Sequence, residues 1–137
     1  MSIVLDTNVI VSALKTHSGN CAAILDLVIE GDLALYVDQR IMDEYERVCG
    51  ETRLKFDPHV VRTVLEFLRA RAERVVPHPV EMDLPDPDDR PFLEVAQQAG
   101  AVLVTGNKKH FPARVCRDVR VFSPAEFIEE LRKRTPR

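Results

Sequence analysis

The 137-residue chain lacks several things that would have announced a function class. No apolar run approaches the roughly 20 residues needed to cross a bilayer. Nothing before the strand-like Ile3-Val4-Leu5 has the charged and apolar regions of a signal peptide, so a cytoplasmic protein is expected. The three cysteines, Cys21, Cys49 and Cys116, are odd in number and scattered, with no Cys-x-x-Cys and no histidine at zinc-ligand spacing. They read as small buried hydrophobes in a reducing compartment. A basic excess is also missing: the net charge is -3, whereas a general nucleic-acid binder is normally basic. Any polyanionic partner must therefore be attracted locally. There are no internal repeats, and the length fits a single domain over 1–137, with the basic end 131–137 expected to fray.

What the chain does have is clustered acid. Glu81, Asp83, Asp86, Asp88 and Asp89 fall within nine residues, a density that either repels itself into solvent or gathers cations. Basic residues sit elsewhere, at Arg69, Arg71 and Arg74, at Lys108 and Lys109, and in the tail.

Hydrophobic patterning predicts strands alternating with helices. Ile3 to Leu5, Leu33 to Val37, Ala101 to Val104 and Val119 to Phe122 are short apolar runs, and uniform hydrophobicity marks parallel strands covered on both faces. Val75-Val76 reads as a minor strand. Between them, Cys21, Ile24, Leu25 and Val28 form one helical stripe, Ile41, Met42, Tyr45, Val48 and Cys49 another, and Phe92, Val95, Ala96 and Ala99 a third. Asp57-Pro58 starts a helix running to about Ala72, Asp88 or Asp89 caps the next, and Ser123-Pro124-Ala125-Glu126 is a capping box for the last. The proline-rich stretch from His78 to Pro87 reads as an ordered loop. This order predicts a three-layer α/β/α sandwich with a central, mainly parallel sheet.

In such sheets ligands collect at the carboxyl ends of the strands. Asp6 directly follows the first strand, and Thr105, Gly106 and Asn107 follow the strand ending at Val104. Asp89 begins the helix feeding that strand, and Glu44 lies at the border of its helix's apolar stripe, about 100° from the centre. Carboxylates gathered in this way suit a hard divalent cation, which offsets their repulsion and supports phosphodiester hydrolysis. Each residue also has a plainer reading. Asp6 and Asn107 serve as turn residues, Asp88 and Asp89 as caps, and Glu44 as part of a solvated helix face that periodicity does not separate from Glu46.

Four segments carry a resemblance: Asp6-Thr7-Asn8-Val9, Asp43-Glu44-Tyr45, Asp86 through Glu94, and Val104 through Pro112. Together, in this order and spacing, they resemble the PIN-domain family over essentially the whole chain, closest to the branch of VapC-type toxins of toxin–antitoxin pairs. The resemblance implies a ribonuclease using one or two Mg²⁺ or Mn²⁺ ions held by Asp6, Glu44 and Asp89. Asp89 is preferred to Asp88 because its eleven-residue interval to Gly100 matches the family's. The fourth acid of the family is here Asn107, an amide that can coordinate or hold a water but adds no charge. By the same resemblance, Asn8, Thr105 and Ser12 would hydrogen-bond the carboxylates and their waters, and Lys108 and Lys109 would touch RNA phosphate. His110 reads as structural rather than as a general base. A small cognate antitoxin and a homodimer are the implied partners. Two other readings stand beside this one: a non-catalytic PIN-fold module that binds RNA or protein, and a phosphoacceptor at Asp6. Against the second, Asn8 stands where aspartate-nucleophile phosphatases want a second acid.

Overall fold

The apolar runs become strands because burying both faces of a short Val/Leu/Ile segment contributes about 1.5–3 kcal/mol per side chain. The computed structural model describes residues 1–134, in which β1 (Ser2–Leu5), β2 (Ala34–Val37), β3 (Glu73–Arg74), β4 (Val102–Val104) and β5 (Val121–Phe122) form one sheet in the order β3-β2-β1-β4-β5. Every pairing is parallel. Helices α1 (Thr7–Lys15), α2 (Asn20–Glu30), α3 (Gln39–Cys49), α4 (Pro58–Arg71), α5 (Arg90–Ala99), α6 (Ala113–Cys116) and α7 (Pro124–Arg134) alternate with the strands, giving the expected α/β sandwich. The central pair β1 and β4 is the most deeply covered, with Ile3, Val4, Leu5, Leu103 and Val104 wholly buried. No described helix is long and apolar enough to cross a membrane.

Two element expectations change. Val9-Ile10-Val11 continues past Asp6 as helix α1, which the patterning did not predict. A run of β-branched residues is a poor helix former in isolation, and here the burial of Val9, Ile10 and Ala13 along one face overrides that preference. The minor strand lies two residues earlier than Val75-Val76, with Glu73 and Arg74 paired to Tyr36 and Val37. Val75 still donates its N–H to the Val37 carbonyl at 3.2 Å, but Val76 turns out to solvent at 91% exposure. Charged residues suit an edge strand, where a row of apolar side chains would invite further pairing.

The capping box at Ser123 forms as expected, with reciprocal bonds Ser123 N–H to Glu126 Oε1 (2.8 Å) and Glu126 N–H to Ser123 Oγ (3.1 Å). Helix α7 extends through Arg134, so residues 131–134 are helical rather than frayed, while 135–137 lie outside the described residues.

The sheet register positions the site. Leu5 and Val104 are direct neighbours at the carboxyl ends of β1 and β4, so Asp6 and Thr105 leave the sheet side by side. The Asp6 N–H donates to the Val104 carbonyl at 3.0 Å, and the Thr105 N–H to the Phe122 carbonyl at 3.0 Å. β2 ends one residue before Asp38, whose carboxylate caps α3 by accepting the Ile41 N–H at 3.0 Å, and α3 carries Glu44.

Candidate metal centre

Asp6 is almost fully buried, and its Oδ2 accepts from the Thr105 hydroxyl at 2.7 Å and from the Asn8 amide at 3.1 Å. Asn8 in turn accepts the Gly106 N–H on its Oδ1 at 2.9 Å. The fit at Gly106 is close, since a Cβ there would stand 3.3 Å from that same oxygen and Asn8 would have to shift by a few tenths of an ångström. The Asn107 N–H donates to Thr105 Oγ at 3.0 Å, closing a chain of polar contacts from β4 back to Asp6. Asn8 and Thr105 thus touch Asp6 directly, while the side-chain amide of Asn107 has no protein hydrogen bond among the described residues.

Glu44 reaches the same edge from α3. Its carboxylate accepts a short hydrogen bond from the Thr7 hydroxyl, the residue next to Asp6. The next residue, the buried Tyr45, sends its hydroxyl to the Leu5 carbonyl at 2.5 Å, pinning α3 to the end of β1. Asp89 occupies the N-cap position of α5 without making a capping bond. Asp86 instead caps the preceding 3₁₀ turn Pro87–Asp89, its Oδ1 accepting the Asp88 N–H at 3.0 Å. That leaves the Asp89 carboxylate free to face His110 Nδ1 at 3.0 Å.

The electrostatics tie the three acids together. Burial pushes the Asp6 carboxyl above its ordinary value, against the opposing hydrogen bond from Thr105. Burial also raises Glu44, opposed by the Thr7 hydroxyl and reinforced by repulsion from Asp6. Asp89 is pushed up to about 6, first by burial and then by the charge of Asp6, with His110 opposing and Asp86 adding to the rise. Asp6 therefore repels both Glu44 and Asp89. An oxygen-rich cluster in which each anionic form is disfavoured is the donor set that a hard divalent ion reverses. Asp86, Asp89 and His110 can each present a ligand atom, all within 4.8 Å of one another.

Comparisons with known proteins bear on the family and the fold. Residues 2–109 match the family model described as PIN domain. The chain belongs to the PIN-domain family. It is 30% identical over 144 residues, covering 97% of this chain and 93% of the relative, to the uncharacterized protein MJ1680 of Methanocaldococcus jannaschii. Its fold is shared with VapBC2 from Rickettsia felis, solved bound to a DNA fragment from the promoter (TM-score 0.60, 17% identity, 90% of this chain and 98% of that one). It is shared likewise with VapBC-1 from nontypeable Haemophilus influenzae (0.60, 18%, 91% and 99%) and with FitAcB from Neisseria gonorrhoeae (0.58, 22%, 90% and 98%).

Other residues of this PIN domain fall in places the sequence did not reveal. Ser12 is exposed on α1, and its hydroxyl lies against the Cys21 thiol of α2. Lys108 is engaged with Glu126 at 3.0 Å, whereas Lys109 is exposed and without an ion-pair partner among the described residues. Positive charge near the acids comes instead from arginines. Arg40, Arg47 and Arg90 line a shallow groove of about 480 Å³ together with Glu44 and Asp88. Helical spacing gave a hint, since Arg47 stands three residues after Glu44 and lies 3.8 Å from it. A separate, more apolar cavity of about 490 Å³, floored by Cys49, Phe56, Val61 and Leu65, opens between α3 and α4 away from the carboxylates.

The raised Asp89 carboxyl has a stability consequence. Because its folded value of about 6 lies above the ordinary 3.8, its contribution to stability is complete below pH 3.8 and is lost as pH rises through 6. In EDTA, Asp89→Asn should match the parent near pH 4 and exceed it by about 1 kcal/mol at pH 7, the full two-unit equivalent being discounted for solvent screening. Thermal melts at the two pH values check this. A difference that stays constant or shrinks with rising pH contradicts it.

Proposed function

We propose that this PIN domain is an endoribonuclease that uses Mg²⁺ or Mn²⁺ to hydrolyse RNA phosphodiester bonds, and that it is the toxin of a toxin–antitoxin pair. What supports the reading is that Asp6 leaves the carboxyl end of β1 beside Thr105, that its charge raises both Glu44 and Asp89, and that Asp89 can share a ligand set with Asp86 and His110. A divalent ion held there supplies an acidified water and positive charge for the oxygens of a phosphoryl group in transfer.

The protein's own part is orientation and charge. Asp6 would be held in place by the two side chains, Thr105 and Asn8, that donate to its Oδ2. The Thr7 hydroxyl would orient Glu44, and the start of α5 would present Asp89. Asn107 would contribute an amide oxygen or hold a water, which favours one tightly held ion over two. RNA phosphate would approach along the groove of Arg40, Arg47 and Arg90, giving local attraction to a chain of net charge -3.

The VapBC and FitAB structures that share the fold are two-component assemblies, which supports a small antitoxin partner for this chain; a homodimer is proposed with it from the family likeness. The direct test is incubation of the purified protein with single-stranded RNA and with DNA, in EDTA and after adding back Mn²⁺ or Mg²⁺. Cleavage confined to RNA and restored by either ion is the expected result. Cleavage that persists in EDTA, or none with either ion, refutes the proposal.

A further inference from the structure

We infer that His110 is itself a ligand to the cation, placing an imidazole nitrogen beside Asp89 and Asp86, so that this site selects a first-row transition ion over Mg²⁺. The inference rests on reading the carboxylate cluster as a metal centre. It assigns to His110 a role beyond the structural one its sequence position suggested.

Geometry is the first support. Ligands held about 2.1 Å from an octahedral ion stand roughly 3.0 Å apart when adjacent and roughly 4.2 Å apart when opposite. His110 Nδ1 and Asp89 Oδ2 are 3.0 Å apart, and ligand atoms of Asp86, Asp89 and His110 all lie within 4.8 Å of one another. Small movements bring all three onto one ion. Asp86 uses one oxygen to cap the Asp88 N–H, leaving the other available.

An ordinary histidine–aspartate ion pair would need only Asp89. The Asp6 carboxylate also feels the charge of His110, so the ring stands near carboxylates from two parts of the chain, Asp6 after β1 and Asp86 with Asp89 before α5. It is held there firmly. The 3₁₀ turn Lys108–His110 is closed by the His110 N–H to the Asn107 carbonyl at 3.1 Å, anchored at one end by Asn107 on Thr105 and at the other by the buried Phe111. The ring is nevertheless 41% exposed, which leaves an approach for an ion.

The chemistry sets the preference. Asn107 brings no charge and only a weak amide donor to the position where the family's fourth acid stands, and three residues later His110 brings a strong nitrogen donor to the same edge. Imidazole favours transition ions, whereas Mg²⁺ favours oxygen ligands and retained water.

The test uses the full chain, stripped with EDTA and loaded with Mn²⁺, examined by pulsed electron paramagnetic resonance. The parent should show ¹⁴N coupling on bound Mn²⁺, and His110→Gln should bind Mn²⁺ without it. In His110→Asp, the Mg²⁺ concentration that displaces half the Mn²⁺ should fall at least about tenfold, since even outer partners of a metal ligand are worth that much. Thermal melts confirm that both variants are folded. Bound Mn²⁺ without nitrogen coupling in the parent, or coupling that survives in His110→Gln, overturns the inference while sparing the metal centre. A parent that binds no Mn²⁺ overturns both.

Discussion

Replacing Asp6 by Asn is expected to reduce RNA cleavage at least about a thousandfold while leaving the fold intact. The charge that a bound ion brings to the transition state is worth several kcal/mol, and each 1.36 kcal/mol is a factor of ten in rate. Asp6 is the acid that both repels its neighbours and is fixed by two side chains, so its loss removes the centre of the cluster. Stability should move the other way. Burial and repulsion disfavour the ionised carboxylate, so the neutral amide should melt within a few degrees of the metal-free parent or above it. Single-turnover cleavage assays and thermal melts on the same preparations check both halves, and a variant that cuts as fast as the parent contradicts the assignment.

Arg40→Ala should have the largest effect on folding, about 2–3 kcal/mol, or on the order of 10 °C in Tm. Arg40 bridges two acids from different elements, binding Asp38 Oδ2 at 2.7 Å and Glu94 Oε1 at 2.8 Å. Glu94 is only 3% exposed, and its other oxygen accepts the Val80 N–H at 2.9 Å. Removing the guanidinium leaves a buried carboxylate with one partner. A broken buried pair costs about 3–5 kcal/mol, reduced here because half of the Arg40 side chain reaches solvent. The same Glu94 holds down the loop that leads into Asp86 and Asp89, so the variant should also lose activity. Chemical denaturation measures the effect, and Glu94→Gln added to Arg40→Ala should recover part of the loss. A change under about 0.5 kcal/mol would show that the bridge is a surface pair.

Much of this was legible in the sequence because the signals were local. Uniform apolar runs marked β1, β2 and β4, and the start and stop residues of α4 and α7 announced themselves. Asp6 and Thr105 were placed at one edge by the rule that strand ends collect ligands, and the register of Leu5 with Val104 makes them neighbours. Glu44 was harder. Its periodicity equals that of Glu46, and only the Thr7 hydroxyl, brought across from α1, separates a carboxylate in the cluster from one paired with Arg69 on the surface. Helix α1 was hidden because its β-branched residues imitate a strand. The division of labour between Asp86 and Asp89 depends on a 3₁₀ turn whose geometry composition does not encode. The Arg40 bridge spans 54 residues to Glu94, and no local pattern reports a contact of that range.

For the proposed cleavage Asp6, Glu44 and Asp89 must hold a cation. Anomalous diffraction from crystals soaked in Mn²⁺ tests this most directly. A manganese peak within about 2–2.5 Å of carboxylate oxygens from Asp6 and Asp89, with Glu44 bound directly or through a water, is the predicted result. Peaks found only elsewhere on the molecule at saturating Mn²⁺, with these three carboxylates bare, would contradict it.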